Sequence, residues 1–217
     1  NVIRPGSAPV SVEARSRYDK SGVYDMLEEI FFSKCYLCET KEPHDINVEH
    51  FDAHMGDLVK KFDWHNLYFV CGRCNNIKGA KYNNLLDCCD ETQDVSKAIK
   101  HFPPQSPYSG KVQLATNSSD ARAIESLELL EKIFNSDHTV NKKVSGSFLR
   151  RKVFGQYNLL LDQMVSYFSE VATAADKDNA IEKMKVLIDK SSPYSAFIRW
   201  CILEDEKLCP LLEEFMD

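Results

Sequence analysis

The chain has 217 residues, of which 43% are hydrophobic and 28% charged. That suffices for one domain with an extension or two small domains, and no apolar run approaches the ~18 residues a membrane span needs. The formal net charge of −6 excludes the overall basic character of a chain that grips nucleic acid tightly by itself, so any such binding rests on a local basic patch or on a partner that delivers the substrate.

Residues 1–22 carry Pro5, Gly6 and Pro9 among several charges and read as an extended arm. They lack the apolar segment of a signal peptide, and a cytoplasmic location is expected. Val23, Met26, Leu27, Ile30 and Phe31 recur at helical spacing, which predicts a helix leading towards Cys35. Residues 46–51 alternate apolar and polar, and residues 66–70 form a short β-prone run, so two strands are predicted. The stretch NNIKGAKY after Cys74 predicts a helix with Asn75 near its N-terminus, where Asn is favoured. Pro103, Pro104, Pro107 and Gly110 mark residues 102–119 as a linker. Asp120 can cap the next helix, whose face carries Ile124, Leu127, Leu130 and Phe134. Further helices are predicted over about 145–172, 176–190, 193–204 and 207–215, with Pro193 and Pro210 near helix starts. The expected organisation is an arm (1–22), a small domain (23–101), the linker (102–119) and a helical region (120–217), an α+β chain that is mostly α.

Of the eight cysteines, four fall into two Cys-x2-Cys pairs, Cys35/Cys38 and Cys71/Cys74. Two such turns complete a tetrahedral shell of four thiolates, so a structural Zn2+ is expected there, closed and without an open coordination position. The 32 residues between the pairs (39–70) exceed the ~15–20 of many zinc ribbons, which predicts an inserted motif. Cys88, Cys89, Cys201 and Cys209 show no second site and read as buried thiols; adjacent Cys88 and Cys89 are poorly placed to share a metal.

The insertion carries Glu49-His50 at the end of the first strand and Asn66 at the start of the second. Asn75 and Lys78 follow the second pair. Hydrolysing a phosphodiester requires a deprotonated water and neutralisation of charge on the phosphate. A neutral imidazole, His50, serves as general base. Glu49 and the amide oxygen of Asn75 suit a hard divalent ion, Mg2+ or Mn2+, with Asn76 as a competitor for the ligand role. Asn66 can orient the loop that holds His50, and Lys78 can contact the phosphate. His44, His54 and His65 read as solvated or loop-fixing, with His54 close enough to reach substrate or metal. Trp64 is expected against the zinc knuckle, and Asp87 as a helix cap.

Glu49-His50, Trp64-His65-Asn66-Leu67 and Cys71-Gly72-Arg73-Cys74-Asn75-Asn76-Ile77-Lys78 together resemble the HNH endonuclease family with its ββα-metal fold. The resemblance covers about 50 residues and implies that His50 is the base, Asn66 is structural, and Glu49 and Asn75 face the metal. Glu49 stands where Asp is commoner, and Asn75 where the motif's last letter is often His. The IRPGSAP arm and the LLDCCDETQDV segment look like the PtuB subgroup, the HNH component of Septu-type anti-phage systems, which also accompanies some retrons. That likeness implies a PtuA-type ATPase partner and a nucleic-acid substrate, DNA before RNA. An RNA-cleaving nuclease, for example of tRNA, and a non-catalytic zinc-binding adaptor are the alternatives.

In the helical half, Lys142, Lys143, Arg150, Arg151 and Lys152 read either as a phosphate-contacting patch or as a solvated helix face. Tyr157, Leu160, Leu161, Met164, Phe168, Phe197, Ile198 and Trp200 are expected to form mostly a helical core.

Overall fold

The computed structural model describes residues 2–4, 6–13, 18, 21–137 and 145–216. The arm contains one short helix, α1 (Val10–Glu13). Helix α2 (Ser21–Ile30) follows and buries Val23 and Leu27, one turn apart, completely. Strand β1 (Ile46–His50) pairs antiparallel with β2 (Leu67–Cys71), in a register running from Ile46 opposite Cys71 to His50 opposite Leu67. The loop between them holds α3 (Leu58–Lys61), whose first amides are capped by the Asp57 carboxylate.

All five β2 residues are buried, which places the strand in the interior. The chain then passes straight into α4 (Gly72–Lys78). The helix begins earlier than its sequence predicts, because Cys71 holds an extended backbone (φ −75°, ψ 149°) and already acts as its N-cap. Cys74 and Asn75 therefore lie inside the helix. Position 72 admits only glycine without displacement: its amide donates to Asp45 O at 2.8 Å, and a Cβ there would sit 2.2 Å from Asp45 Oδ2.

Helix α5 (Val95–Ala98) leads into β3 (Lys100–Phe102), which pairs antiparallel with β4 (Gln113–Ala115). The stretch expected as a plain linker thus contributes a strand. It also buries Val112, whose amide and carbonyl are both bonded by the Asn135 side chain at 3.0 Å. One carboxamide supplies the donor and the acceptor that the proline-rich backbone lacks.

Asp120 caps α6 (Ala121–Asn135), accepting from Arg122 N. Helix α7 (Gly146–Phe168) is capped by Ser145. Helix α8 (Ala174–Ile188) starts with a capping box of Thr173 and Asp176. Helices α9 (Ser195–Leu203) and α10 (Cys209–Leu212) complete the chain, the latter with Pro210 in its first turn. Leu160 and Ile198 are fully buried between α7, α8 and α9, whereas Phe168 is 43% exposed. No helix among the described residues is long and apolar enough to cross a membrane.

One apolar cluster contains the four paired cysteines together with Val112, Leu129, Phe134, Leu149, Val153 and Phe197. The cysteine turns and the C-terminal helices therefore share a core. Two buried arginines fasten the end of α6 to this body. Arg73 donates to Ile133 O (2.6 Å) and Ser136 O (2.9 Å), and Arg150 donates to Phe134 O (2.9 Å). Cations at a helix C-terminus satisfy its orphan carbonyls and complement its dipole. Arg150, only 5% exposed, therefore belongs neither to a phosphate-contacting patch nor to a solvated helix face. Arg151 and Lys152 are exposed, and Lys142 and Lys143 lie outside the described residues.

Candidate functional site

Cys35, Cys38, Cys71 and Cys74 are buried, with their sulfurs within 4.8 Å of one another. A tetrahedral shell with Zn–S bonds of about 2.3 Å sets neighbouring sulfurs about 3.8 Å apart; Cys38 Sγ and Cys71 Sγ are 3.9 Å apart. Burial pushes the Cys35 and Cys74 thiols well up, while hydrogen bonds from the other thiols hold Cys38 well below its ordinary range. A soft divalent cation satisfies the full set of thiolates. The donors and their spacing fit a metal such as zinc. Around them, Thr40 Oγ1 lies 3.2 Å from Cys38 Sγ and shares a 2.9 Å hydrogen bond with Tyr194 Oη, which orients the turn from outside.

The pleat of β1 sends its last two side chains to opposite faces. Glu49 turns inward and is 5% exposed. Its carboxylate accepts from the Tyr36 hydroxyl, and Lys78 Nζ lies 3.7 Å from its other oxygen. Tyr36 sits inside the first cysteine turn, its amide bonded to Phe69 O at 3.0 Å, so the cysteine cage contacts the hairpin's carboxylate directly. Burial raises Glu49 to about 7 against the pull of Lys78. Burial also lowers Lys78, so desolvation drives both partners towards neutrality and outweighs their attraction.

Lys78 is 1% exposed and donates to His50 O at 3.0 Å. It therefore faces the hairpin interior, which corrects its expected contact with a phosphate. A buried ammonium needs partners, and Glu49 with the His50 carbonyl supplies them.

His50 faces the other way and is half-buried. Its Nε2 lies 3.0 Å from Lys61 O, at the end of α3. A carbonyl can only accept, so Nε2 carries the proton and Nδ1 keeps the lone pair of a neutral imidazole. Burial lowers the His50 pKa below its ordinary 6.5, and neighbouring His54, Lys78 and Lys61 lower it further. The Tyr18 ring stands edge-on at 4.8 Å, and the His54 ring at 4.6 Å. His54 itself accepts from Gly56 N at 3.1 Å and braces its own loop.

Asn66 ties this loop with all of its amide. Its oxygen accepts from Asp52 N (2.7 Å), and its nitrogen donates to Asp52 O (2.9 Å) and Lys60 O (3.0 Å). The segment that orients His50 through Lys61 O is therefore held by Asn66 through the neighbouring carbonyl. Asn75 is half-buried on α4, and Asn76 is exposed.

A hard divalent ion does not fit Glu49 as placed, because Tyr36 and Lys78 close in its carboxylate. Among the described residues, no set of three His, Cys, Asp or Glu ligand atoms surrounds His50.

Other expectations change as well. Trp64 packs with Val23, Leu27, Phe31 and the β2 side chains, away from the cysteine cage, with the Arg4 guanidinium 5.6 Å from its ring. Asp87 caps no helix; it accepts from the Tyr68 hydroxyl and from Cys89 N at 2.8 Å. Its carboxylate and the Cys88 and Cys89 sulfurs lie within 4.8 Å of one another, so adjacency does not keep these thiols apart. Cys88, Cys89, Cys201 and Cys209 are half-buried, not buried. Sequence reasoning missed Tyr36, Tyr18 and the Lys61 carbonyl; of these only Tyr36, inside a Cys-x2-Cys turn, carried a local signal.

No protein-family model, curated protein or solved structure matches the chain.

Proposed function

We propose that the chain is an HNH-type nuclease that hydrolyses phosphodiester bonds, with His50 as general base. The observation that carries this reading is the His50 imidazole, neutral and held by a backbone carbonyl, at the end of a hairpin that runs directly into a cysteine-gripped helix. A water hydrogen-bonded to Nδ1 loses its proton to the imidazole as its oxygen attacks phosphorus; the opposite P–O ester bond breaks, and the leaving oxygen takes up a proton from solvent. Positioned general bases contribute about 10²–10⁴-fold to rate. Asn66 fixes the loop, Tyr18 and His54 flank the base, and the zinc cage stiffens the frame. In the resembled family a bound Mg2+ or Mn2+ supplies charge neutralisation. The residues as arranged account for water activation and not for that second part.

The proposal extends, on the sequence resemblance, to a DNA-directed effector in an anti-phage complex with a PtuA-type ATPase. The net charge of −6 and the burial of Arg150 support delivery of substrate by a partner. A second reading, the zinc-binding adaptor without catalysis, draws support from the closed Tyr36–Glu49–Lys78 network, which suits a structural role.

Cleavage of DNA and of RNA by the purified chain, with and without the ATPase and with Mg2+ or Mn2+ added or withheld, tests the proposal. Strand breaks that vanish in His50→Ala support the nuclease. An intact, zinc-loaded chain that cuts nothing under any of these conditions supports the adaptor.

A further inference from the structure

The segment at Cys88 and Cys89 is built differently from the zinc cage. Both residues are half-buried, and Cys88 lines a cavity of about 210 Å³ together with Val2, Tyr36 and Leu86. The Arg4 guanidinium lies 4.4 Å from the Tyr68 ring centre, the Tyr68 hydroxyl donates to Asp87, and the Asp87 carboxylate and both sulfurs lie within 4.8 Å of one another. The same segment anchors the arm. Val2 N donates to Cys88 O at 2.9 Å, and Arg4 donates to Trp64 O (3.0 Å) and Leu67 O (2.6 Å). Leu67 is the register partner of His50. A half-buried thiol at a cavity wall near a fixed cation, with a second thiol next to it, is the environment of a reactive cysteine and its resolving partner.

We propose that Cys88 and Cys89 are a peroxide-responsive thiol pair whose oxidation to a disulfide loosens the N-terminal arm from the hairpin.

Cys89 is the attacking sulfur. The hydrogen bond from Cys88, together with the Arg4 charge, lowers its pKa to about 6, whereas Cys88 is held well above its ordinary range. The Cys89 thiolate attacks one oxygen of hydrogen peroxide. The O–O bond breaks, and the departing hydroxide takes up a proton to leave as water, giving a sulfenic acid. The Cys88 sulfur then attacks the Cys89 sulfur, the S–O bond breaks, and a second water leaves with the Cys88 proton. Two thiols and one peroxide yield one disulfide and two waters.

Consecutive Cα atoms stand about 3.8 Å apart, shorter than the ~4.4–6.8 Å of ordinary disulfides. The product is strained and readily reduced, so the change is reversible. Closing the ring turns the Cys88–Cys89 peptide whose carbonyl holds Val2, and it removes the negative sulfur that faces Arg4. The inference does not depend on the nuclease reading.

The test treats the purified full-length chain, in its native metal state, with hydrogen peroxide and maps every cysteine by mass spectrometry. The Cys88–Cys89 peptide should lose two hydrogens at least about tenfold faster than Cys201 or Cys209 is modified, and dithiothreitol should restore it. Cys88→Ser should trap a dimedone-reactive sulfenic acid on Cys89, and Cys89→Ser should leave Cys88 unreactive. Hydrogen exchange over residues 6–13 should rise on oxidation of the wild-type chain and fall again on reduction. The wild-type mapping stands even if a variant folds poorly. Preferential oxidation of Cys201 or Cys209 overturns the proposal, as does a second equivalent of zinc bound through these thiols. A disulfide that leaves exchange in the arm unchanged overturns the loosening of the arm.

Discussion

The His50 imidazole donates across 3.0 Å to the carbonyl of Lys61, and that single bond decides which ring nitrogen keeps its lone pair. On the proposed reading, His50 acts in its neutral form. Burial holds its pKa below 6.5, so the acid limb of kcat/KM should have its midpoint below 6.5 and the rate should rise with pH through it. His50→Ala should reduce cleavage by about 10²–10⁴-fold with an unchanged circular-dichroism spectrum. Unaltered kinetics in the variant would remove His50 from the mechanism.

Glu49 gives stability a pH dependence of defined sign. Its folded pKa is raised from 4.5 to about 7, so between these values the folded state binds more protons than the unfolded one. Its contribution is fully present below pH 4.5 and is lost as pH rises through about 7. Urea denaturation at several pH values should show this decline in the wild type, and Glu49→Gln should flatten it. A variant with the wild-type slope would show that Glu49 is ionised in the folded chain at low pH.

Lys78→Met removes one half of a buried pair. A buried carboxylate left without its cation costs about 3–5 kcal/mol, and here the carboxyl should stay protonated to higher pH. Adding Glu49→Gln should restore part of the loss. Additive losses in the denaturation cycle would mean that the two side chains are not coupled.

The four-cysteine cage should carry one zinc, measurable by elemental analysis. Chelation, or Cys71→Ser, should unfold the hairpin and helix α4, because structural sites of this kind supply folding free energy outright. Folding that persists unchanged after complete metal removal would make the cage a store of thiols only.

Gly146 starts α7 hard against the end of α6. A Cβ there would sit 2.4 Å from Ser136 O and 2.8 Å from Phe134 O, both backbone atoms. Gly146→Ala should therefore destabilise the chain by about 1–3 kcal/mol; Gly155, whose Cβ position is open, is the control.

The cysteine spacing, the two strands, the Asp120 cap and the α7–α9 helices were legible because each signal lies within a few neighbouring residues. The hidden features depend on distant partners. Lys78 gave no sign that it would pair with Glu49, nor Trp64 that it would lie under Arg4. Arg150 looked like one of five surface charges until the orphan carbonyls of α6 gave it a reason to be buried. The strand at Gln113–Ala115 was concealed by prolines, and only its pairing with β3 and the Asn135 bridge define it. At the candidate site, residue types were readable and side-chain directions were not. Alternation along β1 sends Glu49 and His50 to different faces, and the side that meets the cysteine cage is settled by Tyr36.

Lys34 Nζ bonds Ser192 O at 3.0 Å, and Ala196 N bonds Glu39 Oε2 at 3.0 Å. With Tyr194 against Thr40, these contacts tie the first cysteine turn to residues made more than 150 positions later. Synthesis runs from the N-terminus, so a nascent chain that has emerged only through α8 has all four sulfurs and His50 but not the wall that closes around them. The knuckle is finished by Ser192, Tyr194 and Ala196, which withholds a completed site until synthesis has passed the start of α9.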